Sequence, residues 1–282
     1  MSSRPNEIAP READALADRF GRRKPLIGTI HVEPMPGAPT YEGKPVAEIV
    51  ARAVSDAQTY AAGGIDGLIV ENEGDIPFRK PDDVGPDTVA GLTAVSSAVR
   101  SAVTVPVGVN CLANAVKQSF AVAAVTGGSF VRSNQWTNAY VANEGFVEGA
   151  AAEALRYRSA LRAGHVAVFA DVHVKHGSHA IVADRSLEEL TWDAEFFRAD
   201  VLIATGTRTG DGADPDEVER IKRAASRPVL IGSGLTVDNA KDLLSVIDGA
   251  IVGSAMKQDG VWWNPVDVER VRAITNVAGE LR

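Results

Sequence analysis

With 282 residues, 45% hydrophobic and 23% charged side chains, the chain has the make-up of an ordinary globular protein and the length of one large domain. Its single cysteine, Cys111, excludes an intrachain disulfide and a cysteine metal cluster. The formal net charge of −8 excludes a broad nucleic-acid surface, which needs a basic stripe, but leaves room for a small anion held by backbone amides.

Met1 to Lys24 are of mixed charge and lack an apolar core of signal-peptide length, and no run approaches the roughly 20 apolar residues of a membrane span. The expectation is a soluble, cytoplasmic chain. Residues 1–24 read as an N-terminal extension with a short helix over Arg11 to Phe20. From Pro25 onward, short runs rich in Val, Ile and Ala alternate with longer segments of helical period. The first run is Pro25 to Val32, followed by a proline-rich loop and a helix from Val46 to Ala62 that Gly63-Gly64 ends. The second is Gly67 to Glu71, with a helix over Thr88 to Ser101, and the third Pro106 to Asn110, with a helix over Ala113 to Ala124.

Run four, Ser129 to Arg132, leads into a long segment read as a loop and then a helix over Ala150 to Leu161. Run five, Val166 to Lys175, precedes a helix from Leu187 to Phe197. Runs six, seven and eight are Asp200 to Gly206, Pro228 to Gly234 and Gly249 to Ser254. Eight strands joined by crossovers predict an α/β protein: a single (β/α)8 TIM barrel over 25–282 behind the short extension. An open doubly wound sheet would want a glycine-rich fingerprint after its first strand, and Ile30-His31-Val32-Glu33-Pro34 is not one.

In such a barrel, chemistry sits at the C-terminal strand ends. Gly232-Ser233-Gly234 and Gly253-Ser254 end the last two strands, and small residues there let backbone N–H groups approach a phosphate. Thr236 or Asp238 would cap a following helix whose N-terminus favours the same anion, and Gly206, with Thr205 and Thr207, adds a third wall. On run five, alternation puts Asp171, His173 and Lys175 on one face, an acid, an imidazole and an amine at the barrel mouth. The bland reading is an Asp–Lys pair plugging the barrel. Other strand-end polar groups are His31, Glu71 with Asn72 and Glu73, Asn110, and Arg132 with Asn134. No cofactor can be named; a divalent metal ion on His31, Glu71 and His173 is left open by ligand type. Catalytic roles are expected of Asp171, His173, Lys175, Glu71, His31 and Asn110.

Six ordered stretches resemble the BtpA/SgcQ family. They are Ile27-Gly28-Thr29-Ile30-His31 with Pro34, Pro36 and Gly37; Val70-Glu71-Asn72 with Asp75, Pro77 and Phe78; Ala170 to His176; Thr205-Gly206 with Thr209-Gly210; Leu230 to Gly234 with Asn239; and Val252-Gly253-Ser254 with Lys257. The resemblance implies a phosphate-binding barrel. It is a family named for photosystem I biogenesis, with other relatives near sugar-phosphate metabolism or labelled nucleotide hydrolases. One departure stands out: Asn110-Cys111-Leu112-Ala113-Asn114 has alanine where the family pattern tends to carry arginine, so a basic contact is missing or supplied elsewhere, for example by Arg132.

The leading expectation is an enzyme acting on a phosphorylated sugar or a sugar-phosphate-containing nucleoside derivative, by lyase (aldolase) or isomerase acid–base chemistry. The alternatives are a glycosidic or phosphate-ester hydrolase, metal-assisted or not, and a non-catalytic assembly factor of the photosystem-biogenesis type. The partner expected is a small phosphorylated substrate, with no nucleic acid and no membrane span; a homo-oligomer is left open.

Overall fold

The computed structural model describes residues 15–206 and 214–282. The first half holds α1 (Ala17–Phe20), β1 (Leu26–His31), α2 (Val46–Ala62), β2 (Gly67–Glu71), α3 (Pro86–Ala102), β3 (Val107–Asn110), α4 (Val116–Thr126) and β4 (Phe130–Ser133). Then come β5 (Ala139–Ala142), β6 (Gly145–Glu148), α5 (Ala151–Ala160), β7 (Ala167–Asp171), β8 (Gly177–Ser178), α6 (Leu187–Phe196) and β9 (Val201–Ala204). The chain closes with α7 (Pro215–Ala224), β10 (Val229–Ile231), α8 (Ala240–Val246), β11 (Gly249–Val252) and α9 (Val268–Gly279). Of the helix expected over Arg11 to Phe20, residues 11–14 lie outside the described part, as do Thr207, Thr209 and Gly210.

Eight parallel strands close a barrel in the order β1-β11-β10-β9-β7-β4-β3-β2, and β6-β5-β8 form a separate three-stranded sheet. The barrel strands are buried on both faces, which is why they read as near-continuous apolar runs. Their outward residues meet the helices: Tyr60 of α2 lies so close over Gly28 that a Cβ there would come within 2.6 Å of its ring.

Inward residues recur every second position and build layers. Ile27, Ile69, Phe130, Phe169, Ile203, Leu230 and Ile251 form an apolar interior cluster. Phe130 and Phe169 stack with centroids 4.4 Å apart, and Phe130 fills the space that the missing side chain of Gly108 leaves. Two residues beyond Ile69, Phe130 and Phe169, and four beyond Ile27, the interior turns polar: Glu71, Arg132, Asp171 and His31. Asn110 joins them from β3, since His31 pairs in register with Glu71, and Glu71 with Asn110. At the opposite end, Ala15, Leu16 and Phe20 join the apolar cluster, and Arg19 donates to the carbonyls of Ser129 and His165. The described part of the extension thus packs against the underside of the barrel.

Three expectations need correction. The segment after β4 is not a plain loop, because residues 139–148 form an antiparallel hairpin, β5 with β6. The third helix begins at Val116, not Ala113, because residues 111–115 turn first, with Ala115 N–H on the Cys111 carbonyl. Run five stops being a strand at Asp171, where pairing with β9 ends at Ile203. The chain then leaves the barrel, and the strict alternation expected through Lys175 no longer applies.

Candidate active site

The polar layer is organised around Arg132, which is buried at the end of β4. Its Nε and Nη2 donate to the two oxygens of Asp171, both at 3.0 Å, a bidentate pairing that fixes the guanidinium plane. Its Nη1 reaches Glu71 Oε1 at 3.4 Å. Asn110 Nδ2 donates to the same Glu71 oxygen at 2.9 Å, and Asn134 Nδ2 donates to Asp171 at 3.3 Å. Asp171 is therefore spent on Arg132 and lies beneath the cavity wall, paired with arginine and not with Lys175. For the same reason Arg132 offers no free cation in place of the arginine absent at Ala113.

A cavity of about 740 Å³ opens above this layer, at the C-terminal strand ends. Its floor and sides include His31, Glu71, Glu73, Asn110, Arg132, Asn134 and Lys175, and the turns after β10 and β11 complete it. Lys175 has no hydrogen-bond or ion-pair partner among the described residues. Burial, and then the charge of Arg132, lower its pKa, so its amine gives up a proton more readily than a surface lysine. Glu73 is pushed up to about 7, first by burial and then by the neighbouring charge of Glu71.

His31 is pushed down to about 3, chiefly by burial and then by Lys257. Its Nδ1 lies 3.0 Å from the Trp262 carbonyl, an acceptor only, so the proton sits on Nδ1 and Nε2 carries a lone pair. That Nε2 is 3.9 Å from Glu71 Oε2. Two acceptors facing each other invite a donor between them, such as a substrate hydroxyl or a water. Asn110 Oδ1, in a residue 1% exposed, also lacks a partner among the described residues.

His173 departs from expectation. Its ring turns away from the cavity, with Nδ1 3.2 Å from Glu217 of α7 and its centroid 4.0 Å from His179. The metal set of His31, Glu71 and His173 is not brought together, and no three His, Cys, Asp or Glu side chains are placed to hold a metal ion among the described residues.

The turns after the last two strands both line the cavity, as expected of Gly232-Ser233-Gly234 and Gly253-Ser254. Gly206 follows β9 but is not part of the cavity wall. The backbone N–H groups of Gly234 and Ser254 have no acceptor among the described residues. Gly234 has φ +77°, which glycine adopts at no steric cost, and a Cβ on Gly253 would come within 3.0 Å of the His31 ring. The expected cap differs, because α8 opens only at Ala240. Asn239 accepts from Thr236 N–H and donates to the Gly234 carbonyl, closing the turn without placing a helix end on the cavity.

Sequence reasoning missed the roof. The loop after β7 and the hairpin make one sheet through Val141↔Ser178 and Ala142↔Gly177, and Tyr140 packs with Val147 and Val174. Asn143 and Glu144, at the hairpin tip, line the cavity. A signal was present: Tyr140, Val141, Phe146 and Val147 flank Asn143-Glu144-Gly145, a strand–turn–strand pattern.

The BtpA family matches the chain over residues 22–280. An uncharacterised Pyrococcus furiosus protein is 37% identical, covering 92% of this chain and 96% of its own. A Caenorhabditis elegans protein labelled mitochondrial is 37% identical over 88% of this chain and 91% of its own. The photosystem I biogenesis protein BtpA of Synechocystis is 35% identical over 94% and 91%. Among solved structures, thiamine phosphate pyrophosphorylase from Pyrococcus furiosus superposes with TM-score 0.55 at 16% identity, covering 92% of this chain and 96% of that one. Phosphoribosyl anthranilate isomerase from Thermus thermophilus does so with TM-score 0.54 at 12% identity, over 92% and 100%. At those identities the likeness is one of fold. No helix among the described residues is long and apolar enough to cross a membrane.

Proposed function

The chain belongs to the BtpA family, and from that premise and the chemistry of its cavity we propose an enzyme acting on a phosphorylated sugar or a sugar-phosphate-containing nucleoside derivative, by lyase or isomerase chemistry. The observation that carries the reading is Lys175, an unpaired, half-buried amine in the wall of a cavity that also holds Glu73 and the two glycine turns. The turns after β10 and β11 hold the phosphate through backbone N–H groups.

Lys175 Nζ attacks the substrate's carbonyl carbon. Glu73, protonated near neutral pH, gives its proton to the departing hydroxyl, water leaves, and an iminium remains. The iminium nitrogen takes up the electron pair released when the adjacent C–C bond breaks or the adjacent C–H is deprotonated. Glu71 accepts the proton, while Asn110, Arg132 and, behind Arg132, Asp171 hold its carboxylate in place. Asp171 thus serves as a positioning residue in this reading, and His31 Nε2 accepts a substrate hydroxyl.

Incubation with D-glyceraldehyde 3-phosphate, dihydroxyacetone phosphate and other phosphorylated aldoses and ketoses, followed by borohydride, is expected to leave a covalent adduct on the Lys175 peptide. Turnover that survives Lys175→Ala would remove the iminium route. A second reading is favoured by the facing lone pairs of His31 Nε2 and Glu71 Oε2. It is hydrolysis, with a water held between them. Incorporation of ¹⁸O from solvent into product, with no borohydride adduct, selects it.

A further inference from the structure

We infer that the ligand of this cavity carries an apolar ring at the end remote from its phosphate. This rests on the phosphate reading above and adds to it the chemistry of the far wall. The cyclic strand order sets the seam between β3 and β4 diametrically across the barrel from the seam between β10 and β11. The glycine turns follow β10 and β11. The loops after β2, β3 and β4 bring Ile76, Pro77, Phe78, Leu112, Ala113 and Tyr140 to the cavity instead.

Those six side chains carry no charge, while Glu73 and Glu144 line the cavity from the same loops, and Ile76 is 44% exposed, so apolar surface faces solvent inside a concave site. Apolar surface gathered in a pocket around a few convergent polar groups marks a ligand contact.

Dimensions point the same way. An eight-stranded barrel measures about 15 Å between facing strand backbones. A pentose or hexose phosphate spans roughly half of that at ordinary bond lengths. Anchored at Gly234 and Ser254, such a ligand reaches the middle of the barrel mouth and stops short of Ile76, Phe78 and Leu112. The cavity volume of about 740 Å³ lies in the upper part of the range of roughly 300–1,000 Å³ that encloses drug-sized ligands. Phe78 and Tyr140 present aromatic side chains there, which suits a flat ring in preference to a branched chain.

The test uses the full chain and four probes: D-glucose 6-phosphate, 4-nitrophenyl β-D-glucopyranoside 6-phosphate, and the two unphosphorylated counterparts. Dissociation constants are read by isothermal titration calorimetry. The aryl phosphate is expected to bind at least tenfold more tightly than glucose 6-phosphate. Phe78→Ala, and separately Leu112→Ala, should cut that advantage at least threefold while leaving glucose 6-phosphate binding unchanged. Equal affinity of the two phosphates, or an aryl advantage untouched by both substitutions, overturns the ring and leaves the phosphate reading standing. If neither phosphate binds better than its unphosphorylated counterpart, the proposed function itself fails and the ring falls with it.

Discussion

Glu71 and Glu73 stand two residues apart and live in different electrostatic surroundings. Glu71 accepts hydrogen bonds from Asn110 and Arg132, whereas Glu73 is half-buried beside it and pushed up to about 7. Neighbouring carboxyl groups in unlike environments divide acid and base work between them. With Glu73 as the proton donor, kcat/KM is expected to fall as pH rises through about 7, and Glu73→Gln to flatten that limb of the profile. Stability should move with it. A carboxyl raised in the folded state loses its proton more readily on unfolding, so it costs stability progressively from about pH 4.5 to 7. Glu73→Gln should therefore raise Tm at pH 8 and leave it unchanged near pH 4, as differential scanning fluorimetry across pH will reveal.

Residue identity was legible wherever a strand end was legible: His31, Glu71, Asn110 and Arg132 all reach the cavity wall, and Lys175 joins them from the loop after β7. Partnership was not. The sequence offers Asp171 both a lysine and an arginine, and only the fold places Arg132 Nε and Nη2 on its two oxygens. His173 misled for a different reason. Alternation holds only while the chain remains a strand, and β7 ends at Asp171.

At the scale of elements, all eight barrel strands were legible, because strands buried on both faces advertise themselves as apolar runs. The β5–β6 hairpin was not, because each arm is four residues long and half exposed, too short for its period to stand out. The role of α1 was hidden as well, since a four-residue helix earns its place only from what it touches. Phe20 lies 6.0 Å from Phe130, centroid to centroid, and over Gly67, where an added Cβ would meet its ring at 2.5 Å. Phe20→Ala is expected to cost about 3 kcal/mol by cavity formation. Urea unfolding will measure it, and ligand affinity should stay as it was, because the site occupies the opposite end of the barrel.

For the whole molecule, the net charge of −8 surrounds a site that binds an anion in the proposed reading. Arg132, the fixed cation of the polar layer, is paired with Asp171 and Glu71, so local attraction does little to offset the long-range repulsion. Screening should then help the ligand arrive. The association rate of a phosphorylated ligand is expected to rise about twofold between 20 and 200 mM NaCl in stopped-flow measurements, where a cationic funnel would make it fall. The roof adds a mechanical side to this picture. Lys175 lies two residues before β8, and β8 pairs with β5 of the hairpin. The segment is tethered on its other side by Thr205, whose hydroxyl donates to the His173 carbonyl. In the proposed reading, one hydrogen-bonded sheet thus holds both the wall over the ligand and the segment that carries the attacking amine.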